Sequence, residues 1–178
     1  SILEINLKNL QYNYKKLSGL ANRSICAATI KSDAYGLGVL DVFDALYKVS
    51  CRHFFVATTH EALEIRKKRS TANIYVLNGL ESNNISIFNK HEIIPILNDI
   101  KECNFVMKNI AKFKKLKFGL HVDTGINRLG INFKDFLELK FKKNFHILIS
   151  HLASSDESKN YYNTVQNTKF RKAIDKQL

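Results

Sequence analysis

Six short apolar runs, each followed by a stretch with helical spacing, break the chain into units of about 20–30 residues. The runs lie at 24–30, 53–57, 73–78, 92–97, 116–123 and 146–151. Several are almost continuous in Ile, Val, Leu and Phe, as strands covered on both faces are. Between them, Val39, Leu40, Val42, Phe43, Leu46 and Val49 make one apolar helix face. Thr58-Thr-His-Glu61 has the form of a capping box ahead of a helix over 61–68. Asp99-Ile-Lys-Glu102 opens another helix with Asp as its cap. Helices are also expected over 7–17, 133–143 and 161–177, and a strand with no clear neighbour over 2–6. A repeated strand–helix beat demands parallel pairing, in a sheet either open or closed into a barrel. The expectation is therefore an α/β fold with about six of the eight βα units of a TIM-like (β/α)8 barrel, which usually takes about 250 residues.

Composition narrows the function. The 178 residues are 45% hydrophobic, enough for a real core. No apolar run is long enough to cross a bilayer and no signal peptide opens the chain, so a cytoplasmic protein with no membrane partner is expected. Cys26, Cys51 and Cys103 are odd in number and form no C-x-x-C pair, and are read as reduced packing thiols. The formal charge is +12, but the basic residues are mostly Lys and are spread along the chain. Their densest run, 112–118, alternates with apolar residues. A solvated Lys-rich surface is the reading, and no nucleic-acid partner is expected. His60-Glu61 and His91-Glu92 do not extend to H-E-x-x-H, so no metal site is expected.

In a barrel of this kind chemistry gathers at the C-terminal strand ends. The first such end reads IKSDAYGLG, residues 30–38, and gives Lys31 and Tyr35. The fifth gives Asp123-Thr-Gly-Ile-Asn-Arg-Leu-Gly130, and the sixth gives Ser150-His151-Leu-Ala-Ser-Ser-Asp-Glu157. Alone, Lys31 would be a surface lysine, His151 a hydrogen-bonded structural residue and G-x-G a turn. Together, Lys31, Tyr35, Arg128 and His151 place four polar groups on one rim. A desolvated lysine amine is a nucleophile toward aldehydes, of which pyridoxal phosphate is the common one. A tyrosine hydroxyl suits its phosphate, and an arginine suits its phenolic oxygen or a substrate carboxylate.

These segments resemble the alanine racemase family, a group of fold-type III pyridoxal-phosphate enzymes. IKSDAYGLG is similar to the family's V-K-A-D-A-Y-G-H-G, and HVDTGINRLGI (121–131) to its V-D-T-G-M-x-R-L-G. SHLASSDE (150–157) resembles S-H-x-A-x-A-D-E, and VATTHEALEIR (56–66) matches a fourth region. Gln166 and Phe170 fit the helix that follows the sixth strand. The resemblance covers essentially the whole chain, in order. It implies an isomerase that interconverts L- and D-alanine on pyridoxal 5'-phosphate, supplying D-alanine for peptidoglycan, and a homodimer in the full-length form. It implies Lys31 as the Schiff-base lysine and one of two bases, and Tyr35 as a phosphate ligand. Arg128 would contact the phenolic oxygen and the substrate carboxylate, and His151 would lie beside the ring.

The family's second base is a tyrosine of a C-terminal β-domain in the partner subunit. Residues 1–178 are accordingly expected to be a truncated N-terminal barrel domain, with that β-domain absent and the isolated fragment inactive. Three positions depart from the family pattern: Ser32 for Ala, Leu37 for His, and His121 where many members carry a lysine that orients the arginine. At His121 two alternatives stand, another partner for Arg128 or an anion. A single-domain pyridoxal-phosphate-binding homeostasis protein remains the second reading of the whole chain.

Overall fold

The computed structural model describes residues 2–68, 70–80, 84–109, 111, 116–140 and 145–177. Its backbone falls into two compact units, Ser1–Leu77 and Asn78–Leu178.

The first unit opens with α1 (Leu7–Leu20), followed by β1 (Ala28–Thr29) and a short helical segment α2 (Lys31–Gly36). Then come α3 (Val39–Lys48), β2 (His53–Val56), α4 (Thr59–Arg66) and β3 (Asn73–Val76). Its ladders are parallel, with Ala28 opposite Phe54 and His53 opposite Asn73. The expected face of α3 goes inward through Val42, Phe43 and Leu46, and Ala45 joins them. Phe43 meets Phe54 of β2 at 4.6 Å between ring centres, so the helix packs on the strand that follows it. The capping box of α4 forms as read, with Thr58 and Glu61 satisfying each other's backbone N–H groups.

Two expectations fail here. Residues 2–6 form no strand: Ile2 is 98% exposed, and Asn6 instead caps α1 by accepting from the Asn9 N–H at 3.1 Å. The first apolar run, 24–30, gives only the two-residue β1. The Cys26 carbonyl accepts from the Tyr14 hydroxyl at 2.9 Å, which ties that stretch to α1 and away from the ladder.

The second unit carries α5 (Ile85–His91), β4 (Ile94–Leu97), α6 (Ile100–Asn109), β5 (Gly119–Asp123), β6 (Ile131–Asn132), α7 (Phe133–Glu138), β7 (Ile147–Ile149) and α8 (Tyr161–Gln177). β5 is central, pairing in parallel with β4, β6 and β7. It is buried along nearly its whole length, as are all residues of β4, which explains their continuous apolar sequence. Asp99 caps α6 as expected, its Oδ1 accepting from the Glu102 N–H at 2.8 Å.

α5 and β6 were not expected. Ile85 and Phe88 give α5 an inward face, but about two turns of helix are too short to show a clear period. α7 ends well before residue 143, because Leu139 turns extended at ψ 118. Residues 141–144 of that expected helix, and 112–115 of the basic run, lie outside the described residues. All six expected strand positions carry a strand.

Among the described residues no helix is long and apolar enough to cross a membrane. Nor, among them, do three or more His, Cys, Asp or Glu side chains group to hold a metal ion. Cys51 and Cys103 are buried free thiols. Burial pushes Cys103 up to about 12, as suits a packing thiol.

Candidate active site

Lys31 directly follows Ile30, which is 2% exposed and whose N–H donates to the Phe55 carbonyl at 2.9 Å. After it the backbone does something the sequence does not announce. Ser32, Asp33, Ala34 and Tyr35 all have φ between 53° and 57°, one turn of left-handed helix. For L-residues this costs roughly 1–2 kcal/mol each, so the turn exists only because neighbours hold it. The Ala34 N–H donates to the Ile30 carbonyl at 3.1 Å, and the Gly38 N–H to the Asp33 carbonyl at 3.0 Å. Asp33 Oδ1 accepts from the Val39 N–H at 2.7 Å, and Glu61 Oε1 from the Ser32 N–H at 2.6 Å. Gly36 and Gly38, at φ 83° and 85°, then return the chain to the right-handed α3. The two glycines are thus the exit from the turn. Among the described residues neither the Lys31 amine nor the Tyr35 hydroxyl has a hydrogen-bond partner, and Tyr35 is 63% exposed.

In the second unit the loop after β5 is shaped by Asp123, whose Oδ1 accepts from the Gly125 N–H at 2.8 Å and the Asn127 N–H at 3.2 Å. Gly130 is required at φ 112°: a Cβ there would lie 2.9 Å from the Asp123 nitrogen and 3.1 Å from the His121 ring. Arg128 rides this loop, exposed, with no ion pair or hydrogen bond among the described residues. His151 follows β7, the parallel neighbour of β5.

Gln166 of α8, fully buried, fastens the two loops. Its Nε2 donates to Thr124 Oγ1 at 3.1 Å and to the His151 carbonyl at 3.0 Å. Its Oε1 accepts from the Ala153 N–H at 2.8 Å, and Thr124 Oγ1 lies 2.7 Å from Ser150 Oγ. A cleft of about 450 Å³ opens beside this network, lined by Thr124, Ser150, Leu152, Asn163, Gln166 and Phe170.

His121 lies one layer deeper. Its Nδ1 is 2.9 Å from Asn98 Oδ1, and the Asn98 amide donates to the Ile96 carbonyl at 2.9 Å. That orients the amide oxygen toward the imidazole, so Nδ1 carries the proton and Nε2 is an acceptor. Nε2 is buried with no partner. Burial holds the imidazole down to about 4, with the nearby His151 adding to the effect and Asp123 opposing it. A neutral acceptor suits an N–H donor and not an anion.

The structure thus pairs Lys31 with Tyr35 on one turn of the first unit, and sets Arg128 and His151 after neighbouring strands of the second. Motif reading singled out these four. It missed Asn98 and the Glu61–Ser32 bond. The box T-x-x-E signals only the oxygen of Glu61 that serves its own helix.

The family model described as "Alanine racemase, N-terminal domain" matches residues 5–177. The alanine racemase of Rickettsia canadensis is 36% identical over 95% of this chain and 50% of its own length. That of Rickettsia typhi is 33% identical over 95% of this chain and 44% of its own length. Among solved structures, the alanine racemase of Bartonella henselae with covalently bound pyridoxal phosphate superposes with a TM-score of 0.87. It is 28% identical, covering 97% of this chain and 52% of its own. The Clostridium difficile alanine racemase in complex with cycloserine gives 0.85 at 25% identity, covering 97% of this chain and 50% of its own. The chain spans about half the length of these relatives. The α/β class and the partial (β/α)8 barrel are those of this group.

Proposed function

Because this chain belongs to the alanine racemase N-terminal domain family, we propose that it is the cofactor-bearing part of a pyridoxal-phosphate-dependent alanine racemase. The observation that carries the proposal is Lys31. It directly follows the buried Ile30, on a strained turn, and its amine has no partner among the described residues. A fold that holds four residues left-handed beyond a lysine is using that strain to place a side chain. The donor set fits the cofactor: an amine for its aldehyde, the Tyr35 hydroxyl for phosphate, and the unpaired Arg128 guanidinium for a phenolate or carboxylate. His151, with its backbone carbonyl held by Gln166, is the fourth residue of this reading. Bound there, the cofactor would withdraw the electron pair left when the α-proton is removed.

Within that reading each residue has a task. Lys31 would hold the cofactor through its amine, and the same amine would move a proton at the α-carbon. Arg128 orients the carboxylate through two parallel N–H donors. The homologues act as alanine racemases by name, and a homodimer of the full-length protein acting on alanine in the cytoplasm is part of the proposal. The test is to incubate the protein with pyridoxal phosphate, reduce with borohydride and map the modified lysines. Lys31 is expected to carry the adduct. Adducts only on other lysines would sink the assignment.

A further inference from the structure

Glu61 has two carboxylate oxygens and the capping box uses one. Oε2 accepts from the Thr58 N–H at 3.0 Å and the Ala57 N–H at 2.7 Å, which satisfies the start of α4. Oε1 faces the other way and accepts from the Ser32 N–H at 2.6 Å. Ser32 is the residue after Lys31 and the first of the left-handed turn. One carboxylate therefore ties the end of β2 to the backbone that leaves β1. No ion pair joins Glu61 to the Lys31 amine, so its effect on that amine passes through the backbone.

The same device occurs again where no lysine follows. Glu102, at the start of α6, accepts from the Asn98 N–H at 2.6 Å and the Leu80 N–H at 2.9 Å. As an architectural brace the pattern is thus a property of this fold's βα units. At Glu61 the braced residue begins a turn that no local preference supports, since four L-residues held left-handed relax once a tether is cut.

We propose that Glu61 is the positioning residue for Lys31: its second oxygen holds Ser32 in the left-handed turn and so aims the lysine side chain. The proposal rests on the reading of Lys31 as the cofactor-bearing amine. Glutamine at 61 has the same length but a single acceptor oxygen, and its NH₂ would face a backbone N–H on one side. It can serve the box or Ser32, not both.

The experiment compares Glu61→Gln, Glu102→Gln and Thr58→Ala in the 178-residue protein. Amide hydrogen exchange is read at Ser32 and its neighbours, and the pyridoxal-phosphate–borohydride adduct on Lys31 is measured against that on all other lysines. Glu61→Gln is expected to speed Ser32 exchange about tenfold or more, as loss of a charge-assisted bond does, and to reduce the Lys31 share of label. Glu102→Gln and Thr58→Ala should lower stability and leave both readouts as in the parent. If Glu61→Gln does not fold, Glu61→Asp, one methylene too short to span both strand ends, must give the same two changes. Unchanged Ser32 exchange, an unchanged Lys31 share, or an equal fall in Glu102→Gln would overturn the proposal. Absence of label on Lys31 in the parent would instead refute the cofactor reading, and Ser32 exchange would still show whether the tether exists.

Discussion

His121 is 5% exposed, with one ring nitrogen satisfied and the other not, and this has a consequence for pH. Its ordinary value of 6.5 falls to about 4 in the fold. As pH drops, the unfolded chain takes up the proton first. Stability from the neutral imidazole is therefore complete above about 6.5 and is lost between there and about 4, a swing of up to about 3 kcal/mol. His53 is also held low by burial and shifts stability in the same direction, so His121 is isolated by difference. Urea unfolding at pH 7 and pH 5 should show a clearly flatter pH dependence in His121→Asn than in the parent, and parallel curves would refute it. Arg128 poses the opposite case. Exposed and unpartnered, it contributes little to the fold, so Arg128→Lys should change stability by less than about 0.5 kcal/mol. In a racemase of full relative length carrying these residues, the lost fork geometry should lower turnover about tenfold or more, or about 1.4 kcal/mol. Normal turnover with normal cofactor content would remove Arg128 from the site. Both residues were legible because each belongs to an apolar strand or its glycine-marked end. Asn98 was not, because nothing in the chain order says that it faces a histidine 23 residues away.

Elements were legible where a period could build up. α3 and α8 each had enough residues to show a face or an uninterrupted pattern, and the buried strands announced themselves by continuous apolar sequence. β6, two residues long, and the left-handed turn had no such signal. Asp-Ala-Tyr-Gly suggests a turn through its glycine, and local preference would make Ser32–Tyr35 right-handed. Bonds with Glu61, Val39 and Gly38, none predictable from spacing, help to hold the reversed hand. The junction of the loops after β5 and β7 with α8 is also tertiary. Gln166→Ala would leave the Ala153 N–H and the His151 carbonyl without their partner and open space beside Thr124. A loss of about 2–3 kcal/mol is expected from these buried groups, read as a lower urea midpoint at unchanged slope. A shift equivalent to under about 0.5 kcal/mol would show that the two loops hold themselves.

At the scale of the molecule, most of the βα order was readable because parallel strands need a crossover and most crossovers here are helices; β6, reached from β5 by a loop alone, escaped it. What the chain order left unread is how the edges are met. Among the described residues β7 pairs only with β5, and its residues are half-buried. A row of strand N–H and C=O groups is therefore open to pairing on its far side. The relatives are about twice as long as this chain, and racemisation needs a proton removed from one face of the α-carbon and returned on the other. In the function proposed above, Lys31 would offer one such base. In the family that this chain resembles the other is a tyrosine of the partner subunit, and losing a positioned acid–base group costs about 10²–10⁴ in rate. Residues 1–178 alone, saturated with pyridoxal phosphate, are thus expected to exchange the α-proton of alanine slowly and to racemise it far below an enzymatic rate. The measurement follows L-alanine to D-alanine and, in deuterium oxide, α-deuteration, beside a Lys31→Ala control. Exchange that depends on Lys31 without matching racemisation would assign Lys31 as a one-sided base. Racemisation at the rate of an intact enzyme would mean that both bases lie within these residues, and the two-base assignment would have to be redrawn around Lys31 and a second group such as Tyr35 or His151.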